Sequence, residues 1–135
     1  MFYDPTPDDI LIVNLNPFVR KHTPTSPAEI LDRLNEITFN ASLSAELRAI
    51  AFVQKLIDDD MLTDKARGAY RRLFVHSIGA DGWLQDLNTE TKFDTDWDFL
   101  VKLRDRGRRA ASAWLAAGLA DVGLRSSVDL REEYL

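Results

Sequence analysis

The chain has no cysteine. That excludes disulfides and thiolate-bound zinc, and it fits a reducing compartment. No stretch approaches the roughly 18 apolar residues that a membrane span requires. A basic excess is also lacking: 17 Lys and Arg stand against 22 Asp and Glu, a formal charge of −5. Nucleic acid is therefore not an expected main partner, since a polyanion calls for a basic face. The opening residues MFYDPTPDD contain neither a basic n-region nor an apolar h-region. No secretory signal is read there, and a cytoplasmic location is the expectation. Internal repeats and low-complexity tracts are missing too.

What is present is ordinary for a globular protein, with 45% apolar and 29% charged residues. A length of 135 residues suits one domain and buries about two-thirds of the unfolded surface. The most specific stretch runs from Ser26 to Ile57. Ser26-Pro27-Ala28-Glu29 reads as a helix start, with serine at the cap, proline first in the helix and glutamate three residues after the cap. Ile30, Leu34, Ile37 and Ala41 then form one apolar stripe. Leu43, Leu47, Ile50, Val53 and Ile57 form another, and at about 100° per residue the second lies roughly opposite the first. The change of face predicts a kink or short break near Asn40-Ala41-Ser42.

Upstream, Ile10 to Leu15 is a short apolar run that reads as a strand covered on both faces. A second strand is predicted over Arg72 to Ile78, after a helix ending near Asp59 and a turn through Thr63 to Gly68. One helical turn is expected near Trp83–Leu87. Thr95-Asp96-Trp97-Asp98 caps a final helix with Leu100, Leu103, Gly107, Ala110, Ala111 and Trp114 on one face. That helix is expected to reach about Ala120, with Gly123 in its terminal turn. Ser126 to Leu135 reads as a polar tail, with SVDL as a short extended piece. The fold class is an α/β fragment, predominantly helical, with one or two strands. Two strands make a marginal sheet in water, so further strands are expected from a preceding segment or a partner chain.

These segments together resemble the C-terminal region of bacterial patatin-like phospholipases, the extension that follows the catalytic core. The resemblance is carried by DDILIVNLNP (Asp8 to Pro17), PAEILDRLNEITFNASLSAELRAIAFVQKLI (Pro27 to Ile57), VHSI (Val75 to Ile78), TDWDFLVKLRDRGRRAASAWL (Thr95 to Leu115) and SSVDL (Ser126 to Leu130). It covers nearly the whole chain in order. It implies that residues 1–25 form a terminal strand and loop of a patatin-like core, and that residues 26–135 form a mostly helical extension. It also implies a parent enzyme that hydrolyses lipid esters with a Ser-Asp dyad, a G-x-S-x-G elbow, a D-G-G or D-G-A motif and a glycine-rich oxyanion loop. None of these motifs is found here. Ser26, Ser42, Ser44, Ser77, Ser112, Ser126 and Ser127 all lie outside G-x-S-x-G. In the family the dyad aspartate precedes the strand matching Ile10–Leu15, so the chain resembles such an enzyme without its catalytic front. No catalytic residue, cofactor or metal is assigned to it.

Several local patterns invite functional readings and have plainer ones. Asp81-Gly82 resembles the start of a dyad motif, but Trp83 follows it and a turn is the better reading. His76 and Ser77 are adjacent on a strand, so their side chains point to opposite faces and cannot serve one another. His22 stands alone in a proline-bearing loop. Asp58-Asp59-Asp60 lacks the spacing of a calcium loop and reads as a solvated helix end. Lys102, Arg104, Arg106, Arg108 and Arg109 form the main basic concentration. Asp98 and Asp105 are available as ion-pair partners, and anionic lipid headgroups are the alternative. Asn40-Ala41-Ser42 matches a glycosylation sequon without a secretion signal. Trp97, Trp114 and Phe39 fall on apolar helical faces and are expected in the core. The expected partners are a patatin-like catalytic core, a second copy of the chain, or a peripheral lipid surface. The expected role is non-catalytic, as part of a lipid acyl hydrolase or as a stand-alone helical interaction module.

Overall fold

The computed structural model describes residues 8–20, 22–79, 87, 91 and 93–134. Two parallel strands, β1 (Asp9–Val13) and β2 (Phe74–Ile78), pair with Asp9 opposite Phe74 and Val13 opposite Ile78. Parallel strands need a long crossover. Here it contains α1 (Pro27–Asp58) and the single turn α2 (Asp64–Arg67). After β2 come α3 (Trp97–Ala117), a 3-10 turn over Leu119–Asp121 and the short α4 (Leu130–Tyr134). The chain is mostly helical with a small sheet, as its apolar patterning predicted.

One face of the sheet carries the core. Ile12 and Val75 lie there with Leu47 and Ile50 of α1, Leu73, and Leu130 and Tyr134 of α4. Phe18 meets Tyr134 edge-on, with ring centroids 4.7 Å apart, a favoured aromatic geometry. The predicted polar tail is thus a core element. Ser126 and Ser127 run along β2, and Asp129 Oδ1 then accepts from the amides of Arg131 (2.8 Å) and Glu132 (3.3 Å), opening α4. Leu130 and Tyr134 supply apolar mass four residues apart, a helical spacing too short to stand out from the charges around it.

The helix start at Ser26 forms as predicted. Ser26 Oγ accepts from the Glu29 amide at 3.3 Å, and Glu29 Oε2 accepts from the amides of Ser26 (3.0 Å) and Thr25 (2.8 Å). The predicted break near Asn40-Ala41-Ser42 does not occur, because α1 runs unbroken for 32 residues. Its inward seam is Arg33, Glu36, Asn40, Leu43, Leu47, Ile50 and Gln54, which share one side of the helix at about 100° per residue. The chemistry changes along that seam while the face stays the same. In its first half Glu36 accepts from Arg20 (Nε to Oε2, 2.9 Å) and Arg33 (3.1 Å). Arg33 also donates to the Phe18 carbonyl at 2.9 Å, and Asn40 Nδ2 to the Pro17 carbonyl at 3.2 Å. Buried polar groups hold the loop after β1, and the apolar stripe Ile30, Leu34, Ile37 is left facing outward, more than half exposed.

The final helix is shorter than predicted. Gly118 closes α3, its amide donating to the Trp114 carbonyl at 2.6 Å. A Cβ at Gly118 would lie 2.7 Å from Trp114 Nε1, so the indole occupies the space of a side chain. Gly123 takes φ +75° five residues beyond, in a separate turn. Of the aromatic residues expected in the core, Trp114 is packed, whereas Trp97 and Phe39 are exposed. Trp97 is the first residue of α3, and Phe39 sits where Glu36 and Asn40 hold the inward side. The predicted turn near Trp83–Leu87 lies outside the described residues except Leu87.

Two outcomes are expected. Gly118→Ala should destabilise the fold by about 1–3 kcal/mol through overpacking against Trp114, seen as a lower urea midpoint. The Glu29 carboxyl, held at about 2 against an ordinary 4.5 chiefly by the Ser26 and Thr25 amides, should titrate near that value by NMR. Because its folded pKa is depressed, the stability it contributes is present above pH about 4.5 and lost as pH falls through about 2. Ser26→Ala should raise that midpoint.

Candidate functional site

The described polar side chains gather at two places on the sheet, both built around β2. On the face turned toward α3, the parallel register sets Leu11 beside His76 and brings Asp9 diagonally within reach of it. His76 Nε2 lies 2.9 Å from Asp9 Oδ1, and its Nδ1 lies 3.1 Å from Ser127 Oγ. The Gly123 amide donates to the same Asp9 oxygen at 2.8 Å. Asp9 is held below the ordinary carboxylate range, first by that amide and then by the histidine. An ionised Asp9 can only accept, so Nε2 carries the proton. In the neutral imidazole Nδ1 is then the lone-pair nitrogen, placed to accept from the Ser127 hydroxyl. His76 is 1% exposed, with the Trp114 ring edge-on and centroids 6.0 Å apart.

The segment after α3 makes this arrangement. Gly123, in its left-handed conformation, turns the chain back over Asp9, and Ser126-Ser127 then lie along the outer edge of β2. There the Val75 amide donates to Ser126 Oγ at 3.0 Å, and the Ser127 amide donates to the Val75 carbonyl at 3.1 Å. On the opposite face Asn14 Nδ2 donates to Ser77 Oγ (2.9 Å) and the Tyr134 hydroxyl (2.8 Å), and Tyr134 donates to Ser77 Oγ at 2.9 Å. His76 and Ser77 therefore belong to different networks, as their adjacency on a strand predicted.

A cleft of about 460 Å³ opens at the carboxyl ends of the strands, lined by Asn14, Ser77, Gly79, Trp114, Ser127 and Glu133 among others. Open α/β sheets place ligands at this end. Burial, and secondarily Asp129, raise the Glu133 carboxyl above its ordinary range.

The outer edge of β1 is different. The Asn14 amide donates to the Ile78 carbonyl (3.0 Å) and the Phe74 amide to the Asp8 carbonyl (2.6 Å). Even-numbered residues of β1 therefore address β2, and the amides and carbonyls of Leu11 and Val13 point away from it. They make no backbone hydrogen bond among the described residues. Their side chains are 45% and 59% exposed.

The remaining patterns find these places. Asp58, Asp59 and Asp60 each meet a different cation, Arg72, Lys55 and Arg67 respectively. Asn40 is buried in mid-helix, its amide spent on Pro17, so the sequon is closed to a glycan in this fold. His22 is exposed in its loop. Asp105 pairs with Arg104 at 2.8 Å, while Lys102, Arg108 and Arg109 stand exposed and make no ion pair among the described residues. Asp81 and Gly82 lie outside the described residues. The residues missed in the sequence were Asp9 and Ser127. They lie 67 and 51 positions from His76, and no local motif links them.

No family model, curated protein or solved structure matches this chain.

Asp9→Ala should release the Gly123 amide and unpin the return of the chain over the sheet. Hydrogen exchange at Gly123 should speed up by about tenfold or more, the loss of one charge-assisted hydrogen bond. The amides at the centre of α1 should be unaffected.

Proposed function

We propose that this chain is the C-terminal, non-catalytic part of a patatin-like phospholipase, a serine acyl hydrolase of lipid esters, and that it packs against the catalytic core. The observation that carries this reading is the outer edge of β1. Parallel strands occur almost only inside larger sheets covered on both faces, and an open apolar edge is a template for pairing. A core that continues the sheet beside β1 would satisfy the amides of Leu11 and Val13 and cover their side chains. The residue-level resemblance over Asp8–Pro17 and Pro27–Ile57 supplies the identity of that core. The exposed cations Lys102, Arg108 and Arg109 suit peripheral contact with anionic headgroups in such an enzyme.

A second reading is favoured by a different observation. The outward stripe Ile30, Leu34 and Ile37 would let a stand-alone helical module associate with its own kind. The two readings differ in which surface is covered.

Co-expression with a patatin-like catalytic core tests the first reading. The two should co-purify, and replacing Leu11 and Val13 with lysine should abolish co-purification while Leu34→Lys leaves it intact. A dispersed monomer by light scattering that ignores the core would overturn the proposal. A dimer broken by Leu34→Lys alone would favour the second reading.

A further inference from the structure

The Asp9–His76–Ser127 arrangement has the parts of an activated nucleophile, while the Ser127 amide is committed to the Val75 carbonyl. We propose that Ser127 is a reactive serine that accepts one acyl group from an activated ester, with His76 as its base. This does not rest on the assembly reading above. The ionised Asp9 fixes the His76 tautomer, which leaves Nδ1 free to take a proton, and Ser127 Oγ lies 3.1 Å from that nitrogen. Nucleophile, base and orienting carboxylate within hydrogen-bond reach are the general signature of such a site. The base is shielded by Trp114, whereas Ser127 is exposed and lines the cleft at the carboxyl ends of the strands.

The chemistry balances with the ester as the only co-reactant. Ser127 Oγ attacks the acyl carbon and its proton passes to His76 Nδ1. The bond from the acyl carbon to the leaving oxygen, or to sulfur in a thioester, then breaks. An aryloxide or thiolate leaves as the anion, and the proton on His76 returns to solvent. The Ser127 amide does not serve as a ready oxyanion donor, because it is already donated to the Val75 carbonyl at 3.1 Å. Removing one oxyanion-hole donor slows acyl transfer by about 10²–10³. The matching substrates are therefore activated acyl donors, aryl esters or thioesters, whose leaving groups need little help. The resulting serine ester is unactivated and should persist.

The test is incubation of the full chain with p-nitrophenyl acetate, followed by intact mass spectrometry and peptide mapping. One acetyl group per chain is expected on Ser127. Its rate should exceed that at the exposed Ser112 of α3 by about 100-fold, the lower range of general-base assistance. Asp9→Asn and His76→Gln should each bring the ratio close to one, and Ser127→Ala should remove the adduct. If His76→Gln does not fold, the wild-type ratio and Asp9→Asn decide. Equal rates at Ser127 and Ser112, or a ratio unchanged by Asp9→Asn, would overturn the proposal. Steady release of nitrophenolate lost in Ser127→Ala would overturn both the single-transfer statement and the non-catalytic reading. Absence of labelling would overturn the proposal and leave co-purification with a core unaffected.

Discussion

The parallel ladder between β1 and β2 is the constraint from which the rest follows. Two parallel strands leave the chain at the wrong end of the sheet, so it must travel back before it can pair. The return segment is much longer than the distance to be covered. At 1.5 Å per residue, α1 spans roughly 48 Å, against roughly 17 Å for a five-residue strand. Only the second half of α1 can lie over the sheet, and there Leu47 and Ile50 are buried. The first half overshoots it. Among the described residues its inward side meets the loop that leaves β1, whose backbone carbonyls at Pro17 and Phe18 require donors. Arg33 and Asn40 supply them. Glu36 in turn balances the charge of Arg33 and Arg20.

This length mismatch explains where sequence reading succeeded and where it did not. The Ser26 capping box, both strands and the presence of the two long helices follow from local chemistry, and they were legible. The apolar stripe of Ile30, Leu34 and Ile37 was equally legible as a pattern, but its meaning was not. A pattern locates an apolar face without saying whether this chain covers it. The break predicted at Asn40 came from assuming that apolar always means inward. The buried residues there are Glu36 and Asn40, and burying polar groups is tolerable because each has partners. The same limit hid the tail. Ser126 to Tyr134 looks polar, yet Leu130 and Tyr134 close the core while Ser126 and Ser127 seal an edge. The His76 network was the least legible of all, since its members meet only through the register of the sheet and the turn at Gly123.

The two edges of the sheet are treated differently, and this gives the molecule a direction. Along β2 the chain covers its own edge: Val75 exchanges hydrogen bonds with Ser126 and Ser127, and α3 lays Trp114 against His76. Along β1 the described residues offer no such cover. An edge strand with exposed apolar side chains is an association site. Among the described residues, the β1 side is the one left open for the sheet to grow.

That direction also bears on the Ser127 cleft. The cleft is bounded by Trp114, Gly118, Ser127 and Glu133 of the helices and tail gathered around β2, and by Asn14 just past the end of β1. A strand added beside β1 would approach the far side of the sheet. It would cover Leu11 and Val13 and stiffen the register that holds Asp9 against His76, while the mouth beside Ser127 stayed open. Assembly on one edge and chemistry at the other are therefore compatible. Asp9 joins them, because it belongs to the strand that would be extended and its carboxylate holds both the imidazole of His76 and the amide of Gly123.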